Sequence, residues 1–169
     1  MVRSWLFKLY GWVAGVAAIV AITWASIDAA NKLHILTGSG AAILGFCYFV
    51  QQQKLAETEL FHKLFTAFNT RYDEMNGDLA DILDKGGRAD PAERKKIVDY
   101  FNLCAEEYLF FSEGYIHQKA WTAWCRGMLS YLRKHPFKDI WNEEVQTESF
   151  YGLTIKEIQK GAKNAGPSI

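Results

Sequence analysis

The chain has 169 residues, half of them hydrophobic, and its 19 basic residues balance its 19 acidic residues. A neutral chain lacks the basic excess typical of nucleic-acid-binding proteins, so no nucleic-acid partner is expected. The three cysteines, Cys47, Cys104 and Cys125, are widely spaced, which excludes a disulfide framework and a CxxC-type structural zinc site.

An uncharged run over residues 9–27 dominates the N-terminus. As a helix rising about 1.5 Å per residue, it covers roughly 28 Å, close to the hydrocarbon thickness of a bilayer. Tyr10, Trp12 and Trp24 lie near its ends, where aromatic rings prefer the membrane interface. The alternative is a cleaved signal peptide, but the run is long for one and no small-x-small site closes it. The run therefore predicts a retained transmembrane helix.

A second uncharged segment covers residues 33–50, but His34, hydroxyl side chains and glycines make it less hydrophobic than the first. In one interpretation its small residues let helices pack closely in lipid, as a GxxxG pair in the first segment also does. In the other, its polar residues line a water-filled path in an oligomer. The residues involved in packing or in a pore are Gly11, Gly15, Thr37, Gly38, Ser39, Ala42 and Gly45.

Only residues 28–32 join the two segments, which predicts an antiparallel transmembrane hairpin. Arg3 and Lys8 precede the first segment, and Lys54 and Lys63 follow the second. Because basic residues favour the cytoplasmic side, both termini are expected in the cytoplasm. The predicted class is all-α, with a transmembrane hairpin over 1–52, a cytosolic helical bundle over 53–160 and a flexible tail over 161–169.

The predicted cytosolic bundle begins with a heptad pattern of apolar residues. The pattern predicts either a coiled coil between protomers or the edge of an intramolecular bundle, and it does not distinguish between these alternatives. Because it favours oligomerisation, we treat it as a predicted oligomer seam. Its residues are Phe61, Phe65, Phe68, Tyr72, Met75, Leu79 and Ile82.

Capping signals divide the rest into short helices. Gly86 and Gly87 end the seam helix, and Asp90 with Glu93 forms a capping box that begins the next one. Further helices are expected over 117–135, after Pro136, and from Thr154, where Glu157 completes a second capping box and Leu153 can pack on Ile158.

The stretch from 99 to 125 combines cysteines, a histidine, glutamates and aromatic residues. Helical spacing places Cys104 and Cys125 on apolar faces, where a thiol acts as a small hydrophobe, so packing accounts for most of the stretch. Glu107 lies at the margin of an apolar face. A carboxyl there requires a partner, or its pKa rises.

Few residues suit catalysis. The four histidines are dispersed, with no convincing carboxylate at four-residue spacing, so neither metal nor cofactor is expected. No GxSxG motif, phosphate loop or dinucleotide fingerprint is present. The remaining candidates are Glu107, His117 and Asn102, which leave a divergent membrane-tethered hydrolase or nuclease as the alternative function.

The stretch from Tyr100 to Met128 resembles a group of uncharacterised bacterial membrane-anchored proteins that pair one or two N-terminal spans with a helical cytosolic domain. The residues that carry the resemblance are Asn102, Cys104, Glu107, Tyr108, Gly114, Ile116, Trp121, Trp124, Phe150, Tyr151 and Gly152. It implies the fold and an inner-membrane location, and no established activity. The layout also resembles membrane effectors and accessories of bacterial antiviral systems, an architectural analogy only.

These observations favour a non-enzymatic, homo-oligomeric protein of the inner membrane, in contact with the lipid bilayer and with a possible protein partner. A membrane-perturbing or pore-forming role in antiviral defence or stress is the most concrete version of this expectation.

Overall fold

A computed structural model describes residues 2–27 and 32–163. Every regular element in these ranges is helical, so the predicted all-α class is confirmed. The chain divides into two compact units, Met1–Glu59 and Leu60–Ile169.

The first unit contains helix α1 (Val2–Ile27) and the beginning of helix α2 (Lys32–Lys85), which continues into the second unit. Among the described residues, one helix is long and apolar enough to cross a membrane by length and composition, through its segment Leu9–Ser26. The predicted hairpin turn falls almost wholly on residues 28–31, which lie outside the described residues.

The second unit adds four α-helices to the end of α2. They are α3 (Pro91–Ser112), α4 (Gln118–Leu132), α5 (Phe137–Glu144) and α6 (Ile155–Lys163), with a short 3-10 helix at Val145–Thr147.

The capping box predicted at the beginning of α3 is present in the structure. The Asp90 carboxylate accepts hydrogen bonds from the backbone N–H groups of Ala92 and Glu93, both at 2.9 Å. The Glu93 carboxylate accepts one from the Asp90 N–H at 2.8 Å, which completes the predicted capping box. Gly114, just beyond the helix, has a φ of 82°, as expected for a left-handed C-terminal position.

Aromatic side chains fill the core of the second unit. Trp141 makes an edge-to-face contact with Phe101 at a ring-centroid distance of 5.0 Å and stacks on Phe150 at 5.2 Å. Such pairs add to the stabilisation that comes from burial alone. The largest fully buried side chains are Trp121, Trp141, Phe101, Phe137, Leu79 and Ile97.

Most of the predicted seam lies inside this core. Phe68, Leu79 and Ile82 are buried, and Tyr72 and Met75 pack against them. Phe61 and Phe65, at the N-terminal end of the seam, keep part of their surface accessible. Tyr72 and Met75 are also only partly buried, so four of the seven seam positions keep some accessible surface.

The predicted tail begins too early. Helix α6 continues to Lys163, and Gly161 is buried, so the first three residues of the predicted tail are helical. The reason is a close approach of α6 to α4: a Cβ at position 161 would lie 2.5 Å from Cys125 Sγ and 2.6 Å from Trp121 Nε1. Residues 164–169 lie outside the described residues.

We expect Gly161→Ala to destabilise the second unit by about 1–3 kcal/mol, because the new methyl group overlaps buried side chains that cannot move freely. Thermal unfolding of the full chain, followed by near-UV circular dichroism, measures the effect. The matched control is Gly127→Ala in α4, where a Cβ would meet no atom within 4 Å. That variant is expected to be neutral or stabilised by up to about 1 kcal/mol. Equal melting temperatures for the two variants would contradict the close approach.

Candidate functional site

The feature that most resembles a site is a buried acid on α3. Glu107 is only 5% exposed and lies within a helix whose neighbouring residues Leu103 and Cys104 are also buried. Burial raises the pKa of its carboxyl to about 8, against the lowering effect of the Arg71 charge and with a further rise from Glu106. At neutral pH this carboxyl is therefore mostly protonated and uncharged.

An ion pair beside the buried acid involves its neighbour in sequence. Both terminal nitrogens of Arg71, from α2, donate to the carboxylate of Glu106 on α3. Both side chains are partly exposed. Arg71 thus gives these hydrogen bonds to Glu106 and influences Glu107 through its charge, which leaves Glu107 without full compensation for ionisation.

The nearby thiols are held in their protonated form. Burial raises the pKa of Cys104 well above its ordinary value and that of Cys125 to about 12, and the charge of Glu107 acts in the same direction on both. Because the thiolate is the reactive species, burial disfavours both cysteines as nucleophiles. Both contribute to the core as small apolar side chains.

The structure distributes the three catalytic candidates over different environments. Glu107 is buried, whereas Asn102 and His117 are exposed. His117 is the N-terminal cap of α4, and its Nδ1 accepts a hydrogen bond from the Lys119 backbone N–H at 3.2 Å. A capping role thus accounts for the placement of His117.

A histidine–carboxylate pair that we did not expect from the sequence occurs at the start of α5. His135 Nδ1 lies 2.6 Å from Asp139 Oδ2, so one histidine does have a carboxylate partner at four-residue spacing. The pair lines an open groove of about 930 Å³, where Arg94 also binds Glu143 at 2.6 Å. Within the described residues, no group of three or more His, Cys, Asp or Glu side chains is arranged to hold a metal ion.

The predicted membrane-packing residues face open space in this single chain. A Cβ at Gly11, Gly15, Gly38 or Gly45 would meet no atom within 4 Å. Thr37 Oγ1 donates to the Leu33 carbonyl at 2.8 Å, so its hydroxyl is satisfied within its own helix. Ala42 is exposed and Ser39 is partly exposed.

Comparison with known proteins assigns no family. No protein-family model matches the chain, and neither a curated protein nor a solved structure matches it. The exposed apolar helices and the buried acid are therefore the features from which a function is inferred.

Proposed function

We propose that this protein is an integral membrane protein that acts through self-association and partner binding rather than through catalysis. The observation that carries the proposal is the exposure of large apolar side chains along α1. Trp12 is 76% exposed, Ile19 66% and Trp24 67%. A continuous apolar surface of this kind is unfavourable in water and is stabilised by lipid or by another protein.

The composition of α1 also suits a lipid environment. An apolar helix in the core of a soluble protein would be mostly buried, but only 6% of the segment Leu9–Ser26 is buried. The hydroxyl groups of Thr23 and Ser26 donate to carbonyls one turn earlier, Thr23 to Ile19 at 2.8 Å and Ser26 to Ile22 at 2.9 Å. Hydroxyls satisfied in this way cost less to place in a bilayer.

The beginning of α2 is proposed as a second span. Leu33 and Leu44 are strongly exposed, as are Tyr48 and Phe49 near the end of the segment. With α1 it would form the hairpin predicted from the short connection, and the positive-inside bias would place both termini in the cytoplasm. The second unit would then be a cytosolic helical bundle.

The specific form that we propose is a membrane-anchored protein of the bacterial inner membrane that perturbs the membrane in antiviral defence or stress. The open glycine surfaces of the two apolar segments support contacts between membrane helices of different copies. The burial of the two thiols, which raises their pKa values and disfavours the thiolate, supports a non-enzymatic role.

Self-association is tested by native mass spectrometry of the full chain released from detergent micelles. We expect a defined oligomer, because apolar helices with open small-residue surfaces associate in a membrane-like environment. A spectrum that contains only monomer across the detergents in which the chain remains folded would contradict the proposal.

A further inference from the structure

The solvent face of α4 carries a stripe of basic residues that form no ion pair within the described residues. Lys119, Arg126 and Arg133 are exposed and follow one another at seven-residue intervals, close to two helical turns. No acidic residue occurs between Glu113 and Asp139, so the positive charge of this stretch has no local compensation in the sequence.

Helix α6 extends this basic surface. Arg126, Arg133 and Lys163 line a shallow groove of about 520 Å³ between α4 and α6, and no acidic side chain lines it. The Arg126 Nε donates to the Ala162 carbonyl at 3.3 Å, which holds the guanidinium at the groove. We call Lys119, Arg126, Arg133 and Lys163 the basic face.

Small residues lie beside the charges on α4. Ala123, Gly127 and Ser130 are exposed on the same side of the helix, and a Cβ at Gly127 would meet no atom within 4 Å. A surface of small side chains flanked by cations allows another helix to approach closely while its acidic residues reach the flanking charges.

A complementary surface exists on the same chain. Five exposed acids of α2 occupy an arc of about 140° at 3.6 residues per turn, opposite the face that enters the core. No basic residue interrupts this segment, which lies between Tyr72 and Lys85. We call it the acidic face, and its residues are Asp73, Glu74, Asp78, Asp81 and Asp84.

Interactions within the chain do not account for most of the acidic face. Asp78 pairs with Lys96 at 2.6 Å, and Glu74 interacts electrostatically with Arg71. Asp73, Asp81 and Asp84 form no ion pair within the described residues. Asp81 and Asp84 lie in the last turns of α2, where the helix dipole disfavours negative charge. Helix stability therefore does not explain why acids occur at these two positions.

We propose that the basic face of one copy docks on the acidic face of a second copy. The inference rests on the self-association proposed above and assigns surfaces to it. Each copy carries both faces, and the contact joins unlike surfaces, so copies can assemble into closed rings or open chains. The chain carries equal numbers of basic and acidic residues. Each copy therefore already presents an acidic surface that can bind the basic face, which favours a second copy over a nucleic acid as the partner.

A charge-swap experiment tests the contact with full-length chains in detergent micelles, by energy transfer between donor- and acceptor-labelled copies. One variant carries Arg133→Glu and Lys163→Glu, and the other carries Asp81→Lys and Asp84→Lys. We expect each variant alone to self-associate at least about tenfold more weakly than the wild type, because like charges then face each other. Wild-type association is expected to weaken with added salt.

Mixing the two variants is expected to restore association to within about threefold of the wild type, because every contact again joins opposite charges. A folding defect cannot produce this rescue. If the charge reversals do not change association, or if mixing the variants does not restore it, the proposed docking surfaces are wrong, but self-association through other surfaces is not contradicted. A wild-type chain that does not associate at all would overturn both this inference and the proposed function.

Discussion

Replacing Glu107 by Gln is expected to stabilise the protein at pH 9 and to leave its stability almost unchanged near pH 4.5. The folded pKa of about 8 exceeds the ordinary value of 4.5, so between these limits the folded chain holds a proton that the unfolded chain releases. The free energy of unfolding of the wild type therefore falls as pH rises through this window and levels off above it. Because Gln cannot ionise, the free energy of unfolding of the Glu107→Gln variant above pH 8 exceeds that of the wild type by an amount on the order of 3–5 kcal/mol.

Denaturant unfolding of the full chain in micelles, followed by tryptophan fluorescence at several pH values, measures this difference. Glu113→Gln is the matched control, because Glu113 is exposed just beyond the end of α3. That variant should keep the wild-type decline with pH. Parallel pH profiles for Glu107→Gln and the wild type would contradict the burial argument.

Val16→Arg is expected to move the protein out of the membrane fraction. Val16 lies near the middle of the Leu9–Ser26 segment, and its side chain is exposed. A charged residue at the centre of a transmembrane helix costs about 2.5–3.5 kcal/mol on insertion scales, a large share of the insertion free energy of a marginal span. Quantitative blotting of membrane and soluble fractions measures the redistribution.

Gln52→Arg controls for the added charge itself. Residue 52 is exposed and follows the second apolar segment, at the end where the positive-inside bias favours a cation. This variant should fractionate as the wild type does. Equal membrane retention of Val16→Arg and the wild type would show that α1 is not the anchor.

The parts of the fold that were predictable are those set by local chemistry. Asp90 and Glu93 are three residues apart, so the capping box needs no tertiary information. The heptad seam is likewise visible in the sequence because it is a local pattern. The surface against which the seam packs is not visible there. An apolar stripe at this period suits an intramolecular bundle and a coiled coil equally, and only the tertiary structure places Leu79 and Ile82 in the core.

The features that were missed depend on residues far apart in the chain. The Arg71–Glu106 pair joins α2 to α3, and the buried position of Gly161 exists only because α6 lies against Trp121. Neither leaves a periodic signal. The spacing of Glu107 did indicate a carboxyl at the edge of the core. Grouping it with Asn102 overlooked helix geometry, because residues five apart lie on different sides of a helix.

The central claim is that α1 remains with the protein and lies in the bilayer. Intact-mass analysis of the chain recovered from membranes after alkaline extraction tests it most directly. We predict that the pellet contains a chain that still includes residues 9–26, because their exposed apolar side chains hold it in lipid. A chain released into the supernatant, or one shortened by removal of these residues, would contradict the account.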